Sequence, residues 1–222
     1  MTALPSPHVR PGRPKDPELQ SRRTAQILDV AAQVFAAHGF ANTQVQTIAN
    51  QLGVGNGTIY RYFPKKDQLF LAVVERGLQE LDAELDRILE SSREPLEQFA
   101  ELIRGYFGFF RRRPEMAELF IQERAAFPQH HRALYFSQHG KEPADKHVAF
   151  FERLMNTGRI RPIPRERLFT VVGDLLYGTI IANLLSGRSA DPEAQARDVL
   201  DVILNGMLLT PLPSVVQSGG QS

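Results

Sequence analysis

Thr43-Gln44-Val45-Gln46-Thr47-Ile48-Ala49-Asn50-Gln51-Leu52 runs into Gly53-Val54-Gly55 and then into Asn56-Gly57-Thr58-Ile59-Tyr60-Arg61-Tyr62. Val45, Ile48, Ala49 and Leu52 recur at the spacing of one helix face. Thr43 to Gln46 has the form of a capping box, which opens a helix. The glycines at 53 and 55 bracket a short turn, and a second, very short helix is predicted from about Asn56 to Tyr62. Pro64 then disfavours helical geometry at Phe63. Val54 and Ile59 fill the angle between the two helices, so the stretch reads as helix, turn, helix.

The same periodicity extends outward in both directions. Ile27, Leu28, Ala31, Val34 and Phe35 share one face of a preceding helix, which stops at His38-Gly39 with Gly39 as the left-handed residue past its end. A fourth helix begins near Lys66 and continues past Leu81, Leu85 and Ile88. Pro95, Pro114 and Pro128 open further helices, and Asn156-Thr157-Gly158 closes the last of these. The region from Pro128 to Leu154 has possible breaks at Gly140 and Pro143. Leu168 to Leu185 and Glu193 to Leu209 supply two more. No strand pattern persists anywhere. The expectation is an all-α fold of about nine helices. A three-helix head, 21–66, follows a basic arm, 1–20, and precedes a larger helical body, 67–210, and a Pro/Ser/Gly-rich tail, 211–222.

Composition narrows the function. Hydrophobic residues make up 42% and charged residues 23%, a globular balance rather than a disordered one. There is no Cys, which excludes a disulfide framework and any site built on a thiolate. The net charge of +1 conceals an asymmetry. Residues 1–66 hold eight basic against three acidic side chains, +5, and the remainder holds 18 against 22, −4. A basic head attracts polyanions such as nucleic acid or acidic lipid. Met1 to Pro17 has five prolines and no apolar core; it reads as a flexible arm, not a signal peptide. Leu168 to Gly187 is apolar, but Asp174 and Asn183 interrupt it. It reads as a helix buried on most sides within protein, not as a membrane span. A cytoplasmic protein is expected.

The second helix of such a pair can enter the major groove of DNA. Its outward positions are Asn56, Gly57, Thr58, Arg61 and Tyr62. Gly57 permits close backbone approach, and Thr58 and Tyr60 offer hydroxyls to phosphates. Lys66 stands at a helix N-terminus, which favours an anion. No Asp, Glu, Lys or Arg occurs from Val30 to Tyr60. The candidate base readers there are therefore amides, Gln44, Gln46 and Asn56. Amides pair with adenine at N6 and N7, which suits Gln46 and Asn56, while Arg61 suits guanine or phosphate. Gln46 has an alternative role, closing the capping box onto Thr43.

Phe35, Gly39, Thr43, Ile48-Ala49, Leu52-Gly53-Val54, Gly57-Thr58-Ile59-Tyr60, Tyr62-Phe63 and Lys66-Asp67-Gln68-Leu69 together resemble the TetR family of bacterial transcriptional regulators. The similar region spans about Thr24 to Val74; the rest resembles the family in helicity and length alone. The resemblance implies a homodimer, each subunit placing its third helix in one major groove of a palindromic double-stranded DNA operator. It implies that Thr43, Gln46, Asn56, Gly57, Thr58, Tyr60, Arg61, Tyr62 and Lys66 approach DNA. Gly55 and Lys65 depart from the family pattern, each removing a side-chain helix cap. Arg10-Pro11-Gly12-Arg13-Pro14-Lys15 is similar at its Gly-Arg-Pro core to AT-hook segments. Arg10, Arg13 and Lys15 are thus either minor-groove contacts or a solvated arm touching phosphates.

The resemblance further implies a body that binds a small-molecule effector and dimerises, with repression as the default action. The body is rich in aromatic residues. Tyr106, Phe110, Phe120, Phe127 and Phe151 are candidate pocket walls, with Glu123, Arg124, His147 and Tyr177 as polar anchors. The competing reading is a packed core. An apolar or aromatic effector is expected. Segments 168–185 and 196–209 are the candidate dimer helices. His130, His131, His139 and His147 lack the i, i+4 spacing of a helical metal pair, so no metal and no cofactor is expected. The sequence shows no phosphate loop, nucleophile elbow or paired-His motif, and an enzyme is not expected.

Overall fold

A computed structural model describes residues 17–91, 93–128, 145–188 and 191–205. Among these residues the regular structure is wholly helical. The elements are α1 (Pro17–His38), α2 (Val45–Gln51), α3 (Asn56–Tyr62), α4 (Lys66–Leu89), α5 (Pro95–Arg112), α6 (Glu115–Ala126), α7 (Asp145–Asn156), α8 (Arg165–Ser186) and α9 (Pro192–Asn205). The basic arm with Arg10, Arg13 and Lys15, the tail, the stretch holding His130, His131 and His139, and residues 206–209 of the last expected helix lie outside the described residues. His147 lies on α7, but its side chain is outside the description as well.

Local chemistry accounts for most boundaries. Gly39 follows α1 at φ 79°, a left-handed conformation that glycine adopts without steric cost. α1 itself begins at Pro17, inside the stretch read as an arm. α5 opens on Pro95, and the Glu94 carboxylate accepts from the N–H groups of Leu96 at 2.9 Å and Glu97 at 3.4 Å. The capping box of α2 does not form. Gln44 is the N-cap and its side chain makes no cap bond. The Thr43 hydroxyl turns back instead, donating to the Gly39 carbonyl at 2.7 Å, and Thr43 is buried. The carbonyl past α1 competes successfully for that hydroxyl.

A continuous hydrophobic core runs from head to body. α1 packs on α2, α4 and α6; α5 packs on α4 and α9; α8 packs on α5 and α6. Gly77 lets α6 press close to α4, because a Cβ there would lie 2.0 Å from Met116 Cε. The last carbonyls of α4 are satisfied by one buried amide. Gln98 Nε2 donates to the carbonyls of Ile88 (3.3 Å), Leu89 (3.2 Å) and Ser91 (2.7 Å), and its Oε1 accepts from Arg153 of α7.

The reading of 168–187 as a helix buried on most sides is corrected here. Within one chain α8 buries Leu176 and Ile180, while Val171 is 59% and Leu185 75% exposed. α9 likewise exposes Val202 and Leu204. Residues 166–186 are long and apolar enough, by length and composition alone, to cross a membrane. The helix is nevertheless packed on α5 and α6 along one side.

Candidate nucleic-acid interface and its link to the body

α2 and α3 pack on each other, with Ile48, Ala49 and Ile59 buried between them. What remains outside is polar and neutral: Gln44, Gln46 and Asn50 on and before α2, Gly57 and Tyr60 on α3. Arg61 is exposed beside them, its guanidinium carbon 5.4 Å from the Tyr62 ring centroid. Thr58 and Tyr62 are half-buried. Tyr60 is 45% exposed, so its phenol can leave the protein surface for a partner. Lys65 is exposed just before α4. A neutral reading face flanked by cations suits the polyanion-with-base-edges character of duplex DNA.

The structure distributes the remaining candidates differently. Thr43 points inward, as described. Lys66 also turns inward: its Nζ donates to the carbonyls of Phe40 (2.8 Å), Ala41 (3.2 Å) and Thr43 (3.1 Å) and lies 4.6 Å from the Phe40 ring centroid. An ammonium has three N–H donors, and all three are engaged. Lys66 therefore staples the α1–α2 turn. Sequence reasoning missed this, because the carbonyls that hold it lie 23 to 26 residues away. Asn56 Oδ1 is buried with no hydrogen-bond partner. Pairing with adenine uses both atoms of an amide, which this rotamer of Asn56 does not present. Gln46 is exposed, and its Nε2 donates to Asn50 Oδ1 at 2.7 Å rather than closing onto Thr43.

Two connections join this head to the body. The first is aromatic and polar. Phe127, a candidate pocket wall, lies instead at the junction, its ring centroid 5.2 Å from Phe40 and 5.9 Å from Phe70. Beside it the Phe40 N–H donates to Gln122 Oε1. The second is ionic. Asp29 of α1 pairs with Arg76 of α4, which also reaches Glu80 at 3.3 Å; Glu80 pairs with Arg113, and Arg113 donates to Glu115 at 2.6 Å. Burial alone would lower the Arg113 guanidinium pKa. The Glu115 hydrogen bond and the charges of Glu80, Glu115 and Asp29 outweigh it and hold the pKa above its ordinary value.

In the body, Tyr106, Phe110, Phe120 and Phe151 are buried, as is the carboxylate-bearing Glu123. Tyr106, Phe110 and Phe120 form one ring cluster between α5 and α6. Tyr177 of α8 is half-buried, and its phenol pKa is pushed up by burial and then by the charge of Glu123. Arg124 is not among these groups. It is exposed and donates to the Pro128 carbonyl.

An exposed helix-turn-helix rigidly joined to a larger helical body defines a two-part DNA-binding regulator. The family model described as "Bacterial regulatory proteins, tetR family" matches residues 27–73. The chain is 24% identical over 197 residues to the transcriptional repressor KstR of Mycolicibacterium smegmatis, covering 85% of this chain and 90% of that protein. The fold is similar to that of the TetR-family regulator PfmR from Thermus thermophilus, with TM-score 0.67 and 21% identity over 82% of this chain and 98% of that one. It is also similar to FadR from Bacillus subtilis, solved in complex with stearoyl-CoA, with TM-score 0.59 and 21% identity over 83% and 99% of the two chains. The chain belongs to the TetR family of transcriptional regulators.

Proposed function

We propose that the chain is an effector-released repressor: a cytoplasmic homodimer that binds a palindromic operator and lets go when a small, apolar molecule occupies its body. One observation carries this reading. Adjacent residues of α6 face opposite ways: Gln122 holds the head through Phe40, while Glu123 is buried in the body near Tyr177. A ligand that displaces α6 at Glu123 therefore displaces the head. It shifts the equilibrium by its differential affinity for the two head spacings. Half-site centres should lie about 34–36 Å apart, or a multiple, in the competent state.

The exposed apolar faces of α8 and α9, with Val171, Leu185, Val202 and Leu204, support a two-fold helix bundle with a second copy. That covering, not lipid, accounts for the apolar character of α8. The effector of the FadR structure, stearoyl-CoA, supports an apolar class here. In this reading the chain binds and releases and performs no turnover. The test is selection of genomic fragments by the purified protein, followed by a release screen that begins with long-chain acyl-CoA and steroid thioesters. Specific fragments released by one such class establish the reading. Fragments that no apolar molecule releases, or turnover of a screened molecule, overturn it.

A further inference from the structure

We infer that Asn50 is a positioning residue for base recognition, fixing the Gln46 amide in the one orientation that reads adenine. The inference rests on the head being an operator reader. Gln46 and Asn50 lie one turn apart on α2, both exposed, with Gln46 Nε2 donating to Asn50 Oδ1 at 2.7 Å. A primary amide carries two N–H donors and one carbonyl oxygen. One donor goes to Asn50. The Oε1 acceptor and the second N–H remain, one of each kind.

Adenine presents N6–H as a donor and N7 as an acceptor in the major groove. An amide matches that pattern in one orientation. With its ends exchanged it sets donor against donor and acceptor against acceptor. The terminal torsion of a glutamine is broad and roughly two-fold, so a lone exposed Gln samples both orientations. The bond to Asn50 removes that freedom, since turning Gln46 alone would set Oε1 against Oδ1. Orientation matters more here than in a charged motif, because no Asp, Glu, Lys or Arg occurs from Val30 to Tyr60 to supply discrimination by charge. Asn56 does not substitute, with its Oδ1 buried.

The experiment is selection from randomised duplexes with the full-length chain, run on the wild type and on Gln46→Ala, Asn50→Ala and Asn50→Asp. Gln46→Ala locates the base pair concerned, as the position whose preference collapses. At that position the wild type favours adenine about ten-fold or more, the scale of one good bidentate pair. Asn50→Ala loses most of that ratio. Asn50→Asp keeps it, because a carboxylate still accepts from Gln46 Nε2, while the added charge lowers affinity for all duplexes alike. Far-UV melting of each variant should match the wild type, as both sites are on the surface. The inference is overturned if Asn50→Ala keeps the wild-type ratio, if Asn50→Asp loses as much as Asn50→Ala, or if the favoured base is not adenine. A wild type that enriches no duplex overturns the operator reading itself. An enriched motif that Gln46→Ala leaves unchanged overturns this inference alone.

Discussion

The backbone N–H of Phe40, in the turn between α1 and α2, donates to the side-chain Oε1 of Gln122 at 3.0 Å, across 82 residues of sequence. Gln122→Ala leaves that part-buried N–H without its partner. Urea denaturation should show a loss of about 1–2 kcal/mol, and hydrogen exchange at the Phe40 amide should accelerate. Gln122→Glu retains an acceptor and should recover most of both. Unchanged exchange at Phe40 in the alanine variant would mean that the bond does not hold the head.

Lys66 and Lys65 are neighbours with opposite expected behaviour. Lys66→Met removes three charge-assisted bonds from the α1–α2 turn and should cost stability by about 1–3 kcal/mol. Because those bonds are to carbonyls, the slope of log affinity against log salt should stay as in the wild type. Lys65→Met should leave stability alone and reduce the slope by about 0.9, the value of one lost phosphate contact. Operator titrations at several salt concentrations separate the two.

Tyr60 projects its phenol from α3 with 45% exposure. Tyr60→Phe should weaken operator binding about five- to ten-fold through loss of one hydroxyl bond to phosphate. The urea midpoint should not move. Full affinity in the variant would dismiss the phosphate role of the hydroxyl.

Val202 is 52% exposed on α9 in the single chain. Val202→Glu should therefore fold normally yet place a charge in the proposed dimer bundle. Sedimentation should shift toward monomer, with operator affinity falling because two heads no longer bind together. A stable dimer carrying this substitution would locate the interface elsewhere.

Tyr177 has its pKa raised above the ordinary 10.0, first by burial and then by Glu123. The folded state thus holds the phenolic proton more tightly than the unfolded state does. Its contribution to stability is fully present below the unfolded value near 10 and is lost as pH rises through the higher folded value. The stability difference between wild type and Tyr177→Phe should be flat from neutral pH to about pH 10. Above that it should turn against the wild type. Urea titrations at neutral pH and above pH 10 check the sign, and a flat difference throughout would place Tyr177 in water.

Much of the head was legible because its determinants are local. The apolar spacing at Val45, Ile48 and Ala49, the left-handed residue at Gly39 and the block at Pro64 each act within a turn or two of chain. The same holds for Pro95 and Glu94 at the start of α5. The side-chain roles were less legible. Thr43 and Lys66 carry groups suited to DNA, and nothing near them in sequence shows that backbone carbonyls claim those groups first. Phe127 reads as a pocket wall by composition, yet packs on Phe40 and Phe70 of the head.

The chain alone determined that this protein is helical, that a neutral helix-turn-helix sits between cationic flanks, and that amides and hydroxyls must do its reading. These follow from periodicity, turn chemistry and charge, which are properties of short segments. Only the tertiary structure decided which polar groups remain free. Hydrogen-bonding groups are satisfied by whatever the fold brings near, and for Lys66, Phe40 and Arg113 those partners lie on other helices. Tertiary packing also decided that α8 and α9 present apolar faces outward. Helix spacing places apolar residues on a face, but only the arrangement of the other helices settles whether that face meets the chain's own core or a second copy.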